Sequence, residues 1–253
     1  MQTGFHSRVA FFLLLFLALL PAPSQTQPPL EFDVASIKPA KDFPGQRVRN
    51  NPGSLEISNM EPTTMIRNAY RLVMEGQLTG FPSWADKDCF DIEAKADEDP
   101  AIDLAEARQR NLLRLQSLLV SRFQLRTHWE DKMQHGYVLA IGEKGWRLKP
   151  LQPGSKHSTS QGRGRLVCRS CTISTLAGFL SNIVQKPVQD DTGIQGLYDL
   201  NLAFEPPDAG PSVGTGLPSL FTTLSEQLGL KLEPRNILVR TLVIDHIERP
   251  SSN

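Results

Sequence analysis

The feature that most restricts this chain is that it repeats itself. Leu55-Glu-Ile-Ser-Asn-Met60, followed by a helical pattern with Met65, Ile66, Ala69, Tyr70 and Val73, returns 111 residues later. There it reads Leu166-Val-Cys-Arg-Ser-Cys171, followed by Leu176, Phe179, Leu180, Ile183 and Val184. Both helical segments carry apolar residues at i, i+3/i+4 and i+7/i+8, the stripe of one buried helix face. Phe90-Asp91-Ile92 matches Tyr198-Asp199-Leu200 at an offset of 108, each an aromatic, an acid and an aliphatic in strand-like alternation. Leu115, Leu119, Phe123 and Leu125 match Leu220, Leu224, Leu228 and Leu230 at 105, and the same offset carries Tyr137-Val138-Leu139 onto Leu242-Val243-Ile244. One apolar stripe resembles many others, but four matches in order at nearly constant offset point to a duplication.

Each copy predicts strand, helix, a turn with a short strand, strand, helix and two further strands. The expected fold is therefore α+β, two tandem related units, each a small mostly antiparallel sheet with two helices. Local signals support the helices: Pro62 suits a first turn, Thr172 and Ser219 suit N-caps, and Asp103 with Glu106 forms a capping-box-like pair ahead of Leu112, Leu115 and Leu119. The expected boundaries are an arm with one strand over 25–53, units at 54–144 and 165–248, a linker at 145–164 and a tail at 249–253. Gly145 to Arg165 is rich in Gly, Ser, Gln and Arg and reads mostly as exposed linker, with Arg163 and Arg165 as solvated charges. Pro206 to Pro218 reads as a loop with four Pro and three Gly. Units of this size fold only marginally alone, so the two should pack on each other.

The first 24 residues read as a secretory signal peptide. Arg8 supplies a positive start, Val9 to Leu20 is an unbroken apolar run, and Pro21-Ala22-Pro23-Ser24 breaks it with small residues. Twelve residues make roughly 18 Å of helix, short of the ~30 Å hydrocarbon core. Cleavage after Ser24 leaves 229 residues with 26 basic and 27 acidic side chains, an exported chain without a spanning segment. This balance excludes electrostatic binding of nucleic acid as the main business. Three Cys are too few for a disulfide-built miniprotein.

Cys168-Arg-Ser-Cys171 is the most conspicuous local motif. A C-x-x-C ahead of a helix could be a redox pair, because a helix N-terminus stabilises a thiolate. In an oxidising compartment the plainer reading is a structural disulfide, between these two or from one of them to Cys89. One C-x-x-C does not complete a four-ligand zinc site. Asp190, Asp191 and Asp199 gather near Thr192 and Gly193, where paired carboxylates could serve acid/base work, but Asp and Gly also simply make turns. His128 and His135 could meet across a hairpin, and Asp245-His246 lacks a Ser in a nucleophile context.

Several stretches resemble a known family. They are Phe32-Asp-Val-Ala-Ser-Ile-Lys-Pro39, Gly80 to Trp84 with Phe90-Asp91-Ile92, Leu119 to Phe123 followed by His128, Pro187-Val188 with Asp191-Thr192-Gly193, Gly196-Leu-Tyr-Asp199, Glu226 to Glu233, and Leu242 to His246. Together they look like the soil-associated family of uncharacterised exported proteins abundant in Acidobacteria-type genomes. The resemblance implies an extracytoplasmic domain of unknown function, found alone behind a signal peptide or attached to membrane sensor-peptidase modules. It implies no activity, and Cys168 and Cys171 depart from its pattern. A fainter likeness, in element order, is to the short N-terminal domains of secretins and TonB-dependent transducers, which bind other proteins.

The sequence thus predicts a non-catalytic exported protein without cofactor or metal. It would bind an unknown envelope protein or small ligand, with the cleft between the copies as the place. The rival expectations are a periplasmic enzyme with a site assembled between the repeats from Asp191, Asp199 and His246, and a thiol redox protein using Cys168 and Cys171.

Overall fold

The computed structural model describes residues 29–41, 45–98, 102–149, 151, 158–206 and 216–250. The expected signal peptide and most of the Pro206 to Pro218 loop lie outside them. In chain order the first half holds β1 (Val34–Pro39), β2 (Arg47–Asn51), β3 (Ser54–Met60), α1 (Pro62–Ala69), β4 (Leu78–Thr79), a 3-10 turn (Ser83–Asp86), β5 (Phe90–Lys95), α2 (Leu104–Arg122) and β6 (Arg126–Ile141). The second half holds β7 (Ser158–Gly162), β8 (Arg165–Cys171), α3 (Ile173–Val184), β9 (Val188–Asp190), β10 (Tyr198–Ala203), α4 (Leu220–Thr223) running into a π turn (Leu224–Leu228), and β11 (Leu230–His246). The fold class is α+β.

The helices begin where their caps stand. The Asp103 carboxylate accepts the Ala105 and Glu106 amides, Thr172 Oγ1 accepts the Thr175 amide, and Ser219 Oγ accepts the Thr222 amide. Each satisfies N–H groups that the first turn leaves without an intrahelical partner. Pro62 opens α1, where a missing N–H costs nothing.

Two sheets have the same plan. One runs β1-β5-β3-β2 and the other β10-β8-β7. In the first, Met60 lies opposite Phe90 and Ile57 opposite Ile92, with a register shift between. In the second, Cys171 lies opposite Tyr198 and Cys168 opposite Leu200, again with a shift. Each shift is a β-bulge whose extra residue takes a left-handed conformation, Asn59 at φ 53° and Ser170 at φ 57°. The bulge turns residues three apart onto one face, so Ile57 and Met60, and likewise Cys168 and Cys171, all point into a core.

The third sheet joins the halves. Its order is β4-β11-β6-β9, and exchanging the halves gives the same order read backwards. β6 and β11 pair antiparallel along their lengths, with Met133 opposite Leu238 at the centre. Leu78 of β4 lies opposite Leu242, and Val188 of β9 opposite Tyr137, both pairs parallel. Met133 and Leu238 are themselves 105 positions apart, so they mark a pseudo-two-fold axis. Each core accordingly borrows from the other half: Leu242 and Ile244 of β11 pack with Phe90, Leu119 and Phe123, while Leu139 of β6 packs with Leu176, Leu180 and Leu224.

The structure corrects several expectations. The units 54–144 and 165–248 do not close separately, because a strand of each completes the other's sheet. The arm holds two strands, β1 and β2, and the linker 145–164 holds β7. Both β2 and β7 are short edge strands of polar, exposed residues with no alternation to detect. The two last strands expected in each half are one long strand, since pairing across the axis carries β6 through Gly136 and β11 through Pro234. Pro234 is tolerated because β4 adds to β11 only at Leu242 and Val243, leaving the proline at an edge. The second helix of the second half shrinks to one α turn and one π turn.

Leu148 and Leu151 stand where β1 stands in the first half. Leu148 is buried as Ile37 is, 111 positions earlier, and the Leu151 amide donates to the Leu197 carbonyl as the Ala40 amide donates to that of Cys89. Ile37-Lys38-Pro39 and Leu148-Lys149-Pro150 are also alike in sequence at this same offset of 111.

Candidate functional site

The structure scatters the residues that sequence singled out as an assembled enzyme site. Asp199 sits on β10, where its Oδ1 accepts the Ser170 amide at 3.0 Å. Asp91 does the same for Asn59 at 2.8 Å. Both carboxylates therefore hold the bulge residue in its left-handed conformation. Asp191 is exposed beyond β9, with its amide on the Leu139 carbonyl and its carboxylate 4.0 Å from Arg235. Leu139 pairs with Leu232 near the start of β11, whereas His246 ends that strand and bonds Glu248 at 2.8 Å. Asp191, Asp199 and His246 share no site. Asp190 makes a turn, with Oδ1 accepting both the amide and the hydroxyl of Thr192 and Oδ2 accepting the Ser174 hydroxyl.

Cys168 and Cys171 form a disulfide, with Cα atoms 5.9 Å apart. They occupy the positions of Ile57 and Met60, and both are buried. The bridge fills a core where the first half uses aliphatic packing, and its sulfurs are closed to an exchanging thiol. Cys89 is the free cysteine among the described residues; burial, then the neighbouring Glu61 carboxylate, push its thiol upward. His128 and His135 lie on one strand and do not meet. His128 instead stands between Glu130 and Asp245, whose hydrogen bonds hold its exposed imidazole above the usual range. Among the described residues no group of three His, Cys, Asp or Glu side chains could hold a metal ion.

A different place lies where the two halves meet. The turn that follows α1 packs on α3, and a groove of about 490 Å³ opens between this segment, α1 and α3. The contact is close: the Glu75 amide donates to Ser181 Oγ at 2.9 Å, and a Cβ on Gly178 would stand 3.3 Å from the Val73 carbonyl oxygen. Leu72, Val73 and Phe179 give the groove apolar surface, and Thr64, Arg67, Asn68, Glu75, Thr175 and Asn182 give it polar atoms. At the offset of 111, Thr64 corresponds to Thr175, but Arg67 corresponds to Gly178 and Asn68 to Phe179. The first-half side of the groove thus carries both of its charges together with Leu72 and Val73, and the α3 side adds Phe179 among small and polar residues. Arg67 and Glu75 touch at 3.5 Å, each about a quarter exposed. The sequence stripe that identified both helices includes Val73 and Phe179, which line the groove; Arg67, Asn68, Glu75 and Asn182 lie outside it, where the pattern predicts only surface.

Fold and groove together define an α+β protein of two interlocked halves with a small-ligand-sized cleft on the line between them and no assembled catalytic constellation among the described residues. A family model covers both halves, from α1 through β11. The chain belongs to the family described as "Protein of unknown function (DUF3738)", matched over residues 63–247. No curated protein and no solved structure matches it.

Proposed function

We propose that this protein is an exported binding module of the cell envelope that performs no chemistry of its own and holds a small ligand, or a short segment of an envelope protein, between α1 and α3. The observation that carries the reading is the groove itself, where the Arg67 and Glu75 side chains stand beside Leu72, Val73 and Phe179. Charged and apolar side chains around one groove are what an amphipathic ligand requires. Export is supported by Arg8, the apolar run Val9 to Leu20 and the small residues before Gln25, and by the resemblance to exported soil-associated proteins. The likeness to secretin and TonB short domains favours a binding role in the same compartment.

The test is affinity capture from envelope extract with the mature chain and with Phe179→Asp, bound molecules being identified by mass spectrometry. A defined molecule held by the first and lost by the second, with the fold intact, supports the reading. Identical bound sets from the two proteins contradict it.

A further inference from the structure

The groove's charges indicate the class of ligand, on the reading of that groove as the binding place. The Arg67 guanidinium has five N–H donors, and its contact with Glu75 through Nη2 at 3.5 Å is the one hydrogen bond it makes among the described residues. The side chains of Arg67 and Glu75 are 26% and 29% exposed, so both are partly sheltered, and their contact at 3.5 Å is long for a hydrogen bond. Glu75 lies in the turn after α1, where its amide donates to Ser181 Oγ of α3. The Asn182 side-chain amide makes no hydrogen bond among the described residues. Leu72, Val73 and Phe179 supply the apolar floor beside these groups.

A purely anionic ligand would meet Glu75 in this space, and a purely cationic one would meet Arg67. An uncharged one would leave the sheltered pair as weakly matched as before. A zwitterion satisfies both. In a free α-amino acid the ammonium nitrogen and the carboxyl carbon flank one carbon and lie about 2.5 Å apart, close to the 3.5 Å between the Arg67 and Glu75 atoms. We propose that the groove binds a free α-amino acid with a large apolar side chain. Its carboxylate accepts from the unused N–H groups of Arg67, its ammonium donates to Glu75, and its side chain lies on Leu72, Val73 and Phe179. The ends of a peptide are too far apart to make both contacts at once, so a single amino acid fits better than a longer chain.

Isothermal titration of the full mature protein with L-leucine tests this, beside N-acetyl-L-leucine, which lacks the ammonium, L-leucinamide, which lacks the carboxylate, and glycine, which lacks the side chain. Saturable one-site binding of L-leucine is expected, with each analogue at least tenfold weaker. Arg67→Gln and Glu75→Gln should each weaken L-leucine at least tenfold while thermal unfolding stays within a few degrees of the parent. Equal binding of L-leucine and its capped forms, or no effect of either substitution, overturns the assignment. Absence of saturable L-leucine binding overturns it too, and leaves the groove itself standing if Phe179→Asp still loses a captured molecule.

Discussion

Asp91 and Asp199 look alike in the sequence and do the same work in the fold. Each sits between two buried residues of its strand and accepts the amide of a left-handed bulge residue on the neighbouring strand. A carboxylate at this point offsets both an otherwise unsatisfied N–H and a strained φ. Asp91→Ala and Asp199→Ala should therefore each lower stability by about 1–3 kcal/mol, read from urea unfolding. A loss at Asp91 alone would undo the equivalence. The match of Phe90-Asp91-Ile92 with Tyr198-Asp199-Leu200 was legible, but the carboxylate's role was not, because its partner lies about thirty residues away across a bulge that breaks the alternation. A second residue-level effect is confined to the first half. Glu98 bonds Arg114 at 2.7 Å, and both side chains are 5% exposed. The Arg114 bond, with its charge and the nearby Arg110, outweighs burial and holds the Glu98 carboxyl below the usual range. A depressed folded pKa contributes stability above the unfolded value and loses it as pH falls through the folded one. Acid unfolding should accordingly flatten below pH ~4 in Glu98→Gln relative to the parent, measured by the denaturation midpoint across pH. Parallel curves would show that this pair is not linked to protonation.

Elements with local signals were readable, and elements made by distant pairing were not. α2 and α3 announce themselves through Asp103 and Thr172 and through their apolar stripes. β6 and β11 do not, since each is held straight by the other over a separation of about a hundred residues, and Gly136 and Pro234 imitate turn signals on the way. Gly136 has another purpose. A Cβ there would lie 2.4 Å from the Pro187 carbonyl oxygen, whose backbone accepts the Tyr137 amide just before β9 joins β6. Gly136→Ala should push this junction apart and cost about 1–3 kcal/mol, with hydrogen exchange rising first in residues 186–190. Exchange unchanged there would mean that β9 is held by something other than its seat on β6. The absence of a long second helix in the second half was equally unreadable, because the leucine spacing after Ser219 is that of a helix whether it runs for two turns or five.

At the scale of the molecule, the halves are interlocked rather than strung in tandem. Leu242 and Ile244 complete the core of the first half, and Leu139 belongs to that of the second. Residues 29–144 expressed alone should therefore lack a cooperative thermal transition and gain one when co-expressed with 145–250, as judged by calorimetry. A cooperative transition in the isolated half would restore the picture of independent units. The same interlock seats the turn after α1 on α3 and creates the groove, which sequence could locate only as a cleft between copies, since neither segment shows what it will face. The most direct test of the groove as the binding place is amide hydrogen exchange of the mature protein with and without its captured ligand. Protection gained within residues 67–75 and 174–182 is the predicted result, and protection confined elsewhere, for example around Tyr137 and Lys186, would contradict it.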